Sequence, residues 1–431
     1  MVKEGYKEVR VGPKIVEIPM EWEIMNLNDL SKNKGQYGAN ESANEFDKNE
    51  FRYLRITDIT EDGRLSNNDK KSIKKNDKNQ KYLLEPGDIV FARTGSVGRT
   101  YLFKENDLKI PTVFAGYLIK FKLDKEITNY EYLFHYTHSF LYGSWVNSFS
   151  RSTTLANINA GEYRDLPVIY PPLPEQKKIA SILSSVDKSI EKTDEVIEET
   201  KELKKGLMQE LLTKGIGHSE FKEVRIGPKT IKIPNVWEVK SFDEVSSVNQ
   251  GLQIAISKRS KKPGPNKLKY ITVQHLNNPN DSRYIYYINE PRDSVICEKE
   301  DVLMTRTGNT GEVITDERGV FHNNFFKIDF DREILNKDYL FYYLNSKFIQ
   351  HVIKTFAGTT TIPDLNHGDF YSIPVLIPTK KEQKKIASIL SSVDAKIKKE
   401  KEYKDKLDRL KKGLMQKLLT GEIRVNTDME V

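Results

Sequence analysis

Cysteine is almost missing: Cys297 is the only one in 431 residues. That excludes a disulfide framework and every zinc module built on several cysteines. No run of about 18 apolar residues occurs, and Met1–Glu8 has no apolar core of signal-peptide length. The expectation is a cytoplasmic protein without a membrane span. Catalytic signatures are scarce too. Gly95-Ser-Val-Gly98 and Gly308-Asn-Thr-Gly311 lack the Lys and spacing of a phosphate-binding P-loop, and neither is a GxGxxG turn. No Asn/Asp-Pro-Pro-Tyr/Phe tetrad of an amino-methyltransferase is present; Tyr170-Pro-Pro-Leu-Pro reads as the approach to a helix. His135 and His138 stand three apart with no evident third ligand, so no metal site is expected. Letters alone do not exclude a Ser/His/Asp triad, but nothing marks an exposed nucleophile.

What is present is enough to fold. Hydrophobic residues make up 37% and aromatic residues 10%, sufficient for real cores, and the length suits two or three domains. Lys and Arg number 69 against 62 Asp and Glu, a formal net charge of +7. Such a balance makes a polyanion the first partner to test, although a merely Lys-rich soluble protein has the same balance.

The strongest feature is internal repetition. YKEVRVGPKIVEIPMEWEI (6–24) returns as FKEVRIGPKTIKIPNVWEV (221–239), an offset of 215. EQKKIASILSSVD (175–187) recurs unchanged at 382–394, and KKGLMQELLT (204–213) recurs as KKGLMQKLLT (411–420), both at 207. DIVFARTGSVG (88–98) matches DVLMTRTGNTG (301–311) at 213. From about residue 150 onward the offset never changes, so the insertions and deletions fall between the first Trp of each copy and the Thr-rich stretch. Each copy is a variable body followed by a constant tail. A period of about 210 residues is far too long for a solenoid and implies two similar domains with two similar connectors. One chain imitates a homodimer.

Asp88-Ile-Val-Phe-Ala, Tyr117-Leu-Ile-Lys-Phe and Phe325-Phe-Lys-Ile-Asp-Phe read as strands, while Asn129–Tyr142 and Lys337–Lys354 carry helical spacing. The tails carry heptad-like seams: Ile179, Leu183, Val186, Ile190, Ile197, Leu203, Leu207, Leu211, and then Ile386, Leu390, Val393, Ile397, Tyr403, Leu407, Leu410, Leu414, Leu418. Pro174 and Glu175 suit a helix start, and Gly215 and Gly217 an end. In the second copy Pro378-Thr-Lys-Lys replaces the Pro-Leu-Pro approach, so a slightly different start is expected there. Because the second body joins the end of one helix to the start of the other, packed helices must be antiparallel. Glu191, Asp194, Glu195, Glu198, Glu199 and Glu202 would then face Lys396, Lys398, Lys399 and Lys401. The expected fold class is α+β: two similar globular α+β domains (1–172 and 216–379) separated by an antiparallel two-helix coiled coil (173–215 and 380–425), with a pseudo-two-fold internal repeat.

The remaining chemistry is binding. Arg93-Thr94-Gly95-Ser96 and Arg306-Thr307-Gly308-Asn309 each follow an apolar strand, placing an Arg, hydroxyls and free backbone N–H groups at a turn, as phosphate oxygens require. A structural turn with the Arg in a salt bridge is the other reading. Arg151, Thr153 and Thr154, with Thr359 and Thr360, are similarly rich in donors. If both bodies bind DNA but read different sequences, base-reading residues belong in the divergent segments. Candidates are Lys32, Lys34, Gln36 and Asn40 in the first body, and Gln250, Gln253, Lys258, Arg259 and Lys261 in the second.

Two variable bodies, each followed by a nearly identical helix containing EQKKIASILSSVD, resemble the specificity subunit of type I restriction–modification enzymes. The resemblance covers essentially the whole chain, most specifically Pro174–Asp187 with Glu382–Asp394, the two Arg-Thr-Gly turns, and GTTTIPDLNHGDF (358–370). It implies that each body is a target-recognition domain reading one half of a bipartite double-stranded DNA target. The helices would set the gap and dock modification subunits, two in number, around Ile179, Leu183, Val186, Ile386, Leu390 and Val393. Restriction subunits complete the complex. Methylation with S-adenosylmethionine and ATP-driven cleavage would lie on those partners, leaving this chain without catalysis or cofactor. The rivals are a fused nuclease or methyltransferase acting alone, and a coiled-coil scaffold whose bodies bind proteins.

Overall fold

A computed structural model describes residues 2–66, 68–149, 157–227, 229–358 and 363–427. Arg151, Thr153, Thr154, Thr359 and Thr360 lie outside the described residues. The chain divides into two compact units, Met1–Asp194 with Glu402–Val431, and Glu195–Lys401. Among the described residues no helix is long and apolar enough to cross a membrane.

In the first unit a hairpin (Tyr6–Val11 with Lys14–Pro19) leads into a strand, Glu23–Asn26, that pairs with Pro167–Tyr170 far along the chain. Between them stands a four-stranded sheet in the order Gln36–Tyr37, Leu118–Lys122, Asp88–Ala92, Thr100–Leu102. The second unit repeats the plan with a hairpin, Phe221–Ile226 and Lys229–Pro234, and the pair Glu238–Ser241 with Pro374–Ile377. Its central sheet runs Ser246–Gln250, Phe325–Phe330, Val302–Thr305, Val313–Ile314. Each unit has a second sheet around one parallel pair: Thr112–Phe114 beside Phe51–Leu54, and Gly319–Phe321 beside Lys267–Ile271. Here the copies diverge. The first unit extends this sheet through Lys71–Ile73 to Asn44–Glu45, whereas the second adds Tyr287–Asn289 on one side and Ile296–Cys297 on the other.

The helical spacing in each body breaks in two. Tyr130–Tyr136 and Phe140–Phe149 are separate helices, as are Lys337–Leu344 and Lys347–Phe356. Serine makes the break: the Ser139 hydroxyl accepts from Tyr142 N at 3.3 Å, and Ser346 is the N-cap of the helix that follows it.

The two long helices are Leu173–Leu211 and Lys380–Leu418, each of 39 residues. They start at equivalent positions, so the missing Pro-Leu-Pro does not shift the second start; Gln383 N bonds Thr379 O as Gln176 N bonds Pro172 O. The seam differs from the one expected. Buried positions run Ile179, Leu183, Val186, Ile190, Thr193, Ile197, Thr200, an unbroken alternation of four and three. Thr193 and Thr200 fill heptad positions and bond their hydroxyls to the carbonyls of Ser189 and Val196. Leu203, Tyr403 and Leu410, expected in the seam, are instead exposed. Ile179, Leu183, Ile386 and Leu390 are fully buried in the cores of their own units, and Val186 packs with Ile190 and Leu407. Val393 is half-buried.

Within each unit the helices are antiparallel. In the first, Asp187 pairs with Lys411 at 2.6 Å and Asp194 with Lys404 at 2.5 Å. In the second, Lys204 pairs with Asp394 at 2.6 Å while Leu212 shares a core with Ile386. The expected facing of the glutamate run by Lys396–Lys401 is not how charge is matched. Glu198 and Glu202 pair within their own helix with Lys201 and Lys205, because a three-residue step on one helix face is shorter than the span between helices.

The repeated Glu-Gln opening of each helix has a physical explanation. Gln176 Oε1 accepts from Asn129 N at 2.9 Å and its amide donates to Pro171 O, while Asn129 caps the helix at Tyr132. Gln383 does the same between Asn336 N and Pro378 O. Glu175 accepts from Trp22 Nε1 at 3.4 Å and from the Arg424 guanidinium at 2.6 Å. Glu382 accepts from Trp237 Nε1 at 3.1 Å, His218 Nε2 at 2.8 Å and Ile216 N at 2.8 Å. Both turns after the long helices need glycine there. A Cβ on Gly421 (φ +71°) would meet Pro19 at 2.5 Å, and one on Gly215 (φ +67°) would meet Glu382 Oε1 at 2.4 Å.

The two units fasten body to helix with different chemistry at one equivalent place. In the second, Tyr342 donates to Asp394 Oδ2 at 2.9 Å. In the first, buried His135 sits 3.0 Å from Ser184 Oγ and 3.7 Å from Asp187. Burial pushes its pKa down to about 3, with Lys411 and His138 adding to the effect. Gln176→Ala strands a buried donor and acceptor and should cost about 2 kcal/mol in urea unfolding, whereas Lys177→Ala, exposed on the same turn, should cost less than about 0.5 kcal/mol. For His135 the unfolded chain takes up a proton near the ordinary value of 6.5 and the folded chain does not. Its contribution is therefore complete above pH 6.5 and is lost as pH falls toward 3. The melting temperature of His135→Tyr should fall less steeply than that of the parent as pH drops below 6.5; parallel profiles would contradict this.

Candidate nucleic-acid interface

The two Arg-Thr-Gly turns stand at the same place in each central sheet, directly after the strands Asp88–Ala92 and Val302–Thr305. Gly98 N returns to Ala92 O at 3.0 Å and Gly311 N to Thr305 O at 2.8 Å, closing each turn. Arg93 N donates to Tyr117 O at 3.0 Å and Arg306 N to Asn324 O at 2.7 Å. The expectation of free backbone N–H groups therefore fails at Arg93, Gly98, Arg306 and Gly311: sheet closure uses them. Gly308 N is likewise held, by Pro363 O at 3.2 Å.

Around the first turn the Arg93 guanidinium lies 5.0 Å from the centre of the Tyr37 ring, and its Nε donates to Asn157 Oδ1 at 3.4 Å. Tyr37 is 40% exposed and Tyr117 63%. Gln36 donates to Lys81 O at 3.1 Å, bringing an exposed lysine to the same edge. Exposed aromatics beside a cation with no ion pair among the described residues are the groups that base stacking and phosphate pairing use. Tyr37, Tyr117, Asn157 and Lys81 were not among the sequence candidates; strand pairing over long separations brings them together.

The second turn has the same letters and different surroundings. Arg306 pairs with Asp364 at 2.9 Å, with its side chain only 16% exposed, and Thr307 donates to the same carboxylate at 2.5 Å. Asn309 donates to Glu312 at 3.0 Å. At the position equivalent to Tyr37 stands Gln250, which donates to Asn323 O at 3.0 Å, and at that of Tyr117 stands Asn324. Gln253 and Lys258 are exposed, while Arg259 is held by Ile254 O at 2.8 Å and stacks on Tyr270. Lys261 is bound to Arg283 O and lies over Tyr286.

Not every candidate gathers at the turns. Lys32 pairs with Asp124 at 3.2 Å and its backbone meets Lys122, at the opposite end of the strand from Tyr117. Lys34, also at that end, and Asn40 are exposed. Thr94 and Ser96 are half-buried in the first turn. Among the described residues no group of three or more His, Cys, Asp or Glu could hold a metal. The His138 ring nitrogen is 2.8 Å from Phe134 O, and Cys297 is buried with its thiol pushed up to about 11 by desolvation.

Comparisons with known proteins agree with this duplicated plan. The family model described as the type I restriction modification DNA specificity domain matches twice, at residues 19–202 and 234–409. The MjaVIII specificity subunit of a type I restriction enzyme of Methanocaldococcus jannaschii is 26% identical, covering 98% of this chain and 97% of its own. The putative MjaX specificity subunit of the same organism is 28% identical, covering 99% and 98%. Among solved structures, the type I restriction–modification S subunit of M. genitalium has the same fold, with a TM-score of 0.57 at 16% identity, covering 95% of this chain and 98% of that one. A chain from a study of type I R-M complex assembly gives 0.55 at 15% identity, covering 94% and 99%. The chain belongs to the family of type I restriction–modification DNA specificity subunits.

Proposed function

We propose that the two domains, 1–172 and 216–379, each read one half of a bipartite double-stranded DNA target, and that the long helices between them set the gap. The observation that carries this reading is the pairing of shared and divergent residues around one turn. Arg93 and Arg306 occupy the same place, while Tyr37 and Tyr117 are exchanged for Gln250 and Asn324. Sequence-neutral contacts can be common to both copies; base-reading contacts must differ wherever the half-sites differ. Amides suit base edges, and tyrosines suit stacking and thymine methyl groups. Arg151, Thr153, Thr154, Thr359 and Thr360 are included among the contacts on the strength of their position in sequence.

In this reading the chain carries no methyl-transfer or cleavage step; modification and restriction subunits bring those. Two modification subunits dock, one per copy, on the outer faces of the helices. Leu203 is 56% exposed and Leu410 50%, and each opens the same heptapeptide, Leu-Lys-Lys-Gly-Leu-Met-Gln. A large apolar side chain left in water at two equivalent places fits a repeated partner.

Two experiments test the proposal. Exchanging residues 27–165 for the corresponding segment of another family member, with the modification subunits present, should change one methylated half-site and leave the other intact. Simultaneous change of both half-sites would refute modular reading. Native mass spectrometry of the assembled complex should show Leu203→Asp losing one modification subunit and Leu203→Asp/Leu410→Asp losing both. Two subunits retained in the double variant would rule out these leucines as anchors.

A further inference from the structure

The two Arg-Thr-Gly turns, written in nearly the same letters, stand in opposite electrostatic settings. In the first, no carboxylate of the described residues lies within salt-bridge distance of Arg93, and the segment 150–156 that adjoins Asn157 contains no Asp or Glu. Its polar contact there is the neutral Asn157 amide oxygen, and the Thr94 and Ser96 hydroxyls make no hydrogen bond with the described residues. In the second, position 157 becomes Asp364, which takes both the Arg306 guanidinium and the Thr307 hydroxyl. Glu312 takes the Asn309 amide as well; its equivalent in the first unit is Arg99, a cation that donates to Ile59 O and lies 3.6 Å from Glu61. One turn presents a guanidinium and two hydroxyls. The other has used the same groups internally and placed two carboxylates beside them.

We propose that the residue at this position, Asn157 in one unit and Asp364 in the other, decides whether the Arg-Thr-Gly turn grips a DNA phosphate, so that the first domain anchors the backbone through its turn and the second does not. The inference rests on the DNA-reading function proposed above and assigns unequal roles within it. An unpaired guanidinium with adjacent hydroxyls gains a charge-assisted, two-pronged contact with a phosphate. Arg306 would have to surrender Asp364 to do so, and the freed carboxylate would then face the same phosphate. The second domain must hold its half-site through other groups, among which Lys258 is exposed and without an ion pair among the described residues. Pro363 O, next to Asp364, also accepts from Gly308 N and Thr310 Oγ1, so the second turn is tied to this segment independently of the carboxylate.

The test uses the full chain with its modification subunits on a duplex carrying the mapped target, measuring affinity against salt concentration. The slope of log K against log salt is negative, and slopes here are magnitudes, to which each phosphate contact adds about 0.9. Asn157→Asp should lower the slope by about 0.9, and Asp364→Asn should raise it by about the same amount while tightening binding at low salt. The double exchange should restore the parent slope. Thermal melting identifies any variant that fails to fold, and Asn157→Asp, which disturbs no ion pair, keeps the proposal testable if Asp364→Asn does. Parent-like slopes in both single variants would overturn the inference while leaving DNA reading intact. Failure of the parent complex to bind the duplex in any salt-dependent manner would instead overturn the function on which it rests.

Discussion

The fold depends on one carboxylate at the start of each long helix, Glu175, which is buried, and Glu382, which is half-buried. Glu175 and Glu382 are each held by a tryptophan N–H from the head of the body and by groups from the turn that follows the other long helix. A carboxylate taken from water needs such partners, and leaving it unpaired would cost several kcal/mol. The contact therefore fixes three stretches of chain at once: the hairpin end, the helix start, and the residues after the opposite helix. In the first unit those last residues include Arg424, 249 positions from Glu175 in sequence. The C-terminal segment completes the first unit in the way that residues 215–218 complete the second.

This closure explains why the constant parts of the repeat are constant. Glu175 and Gln176 have no exposed role; they satisfy buried donors and acceptors whose geometry leaves no room for another length or charge. The loops of the second sheets have no such duty. They carry different strands in the two units, Asn44–Glu45 in one and Ile296–Cys297 in the other, and leave the central sheet unchanged. A scaffold fixed by buried polar contacts, with the differences between copies pushed to the outer sheet and to the residues around one turn, suits recognition of DNA sequence by two domains of one architecture.

Much of this was legible in the sequence. The repeat, the two helices, their antiparallel sense and the Arg-Thr-Gly turns all follow from spacing and connectivity. What escaped reading depends on partners distant in the chain. Thr193 and Thr200 sit in the helical seam although threonine does not advertise burial, so the apolar pattern appeared to slip toward Leu203. Tyr117 reads as the first letter of a strand, yet it lies just before Leu118–Lys122 with its ring in solvent. The neutralisation of Arg306 was open as an alternative, but only the approach of Asp364, 58 residues on, decides it. A sequence shows that two copies share an arginine; the fold shows that Arg306 meets Asp364 while Arg93 meets Asn157.

The most direct measurement of the central claim, two duplicated domains reading two half-sites, is single-molecule mapping of methylated bases in cells expressing this chain with its modification subunit. The account predicts one motif with two short specified elements separated by a gap of fixed length and unspecified sequence. A continuous motif, or two elements whose separation varies from site to site, would contradict it.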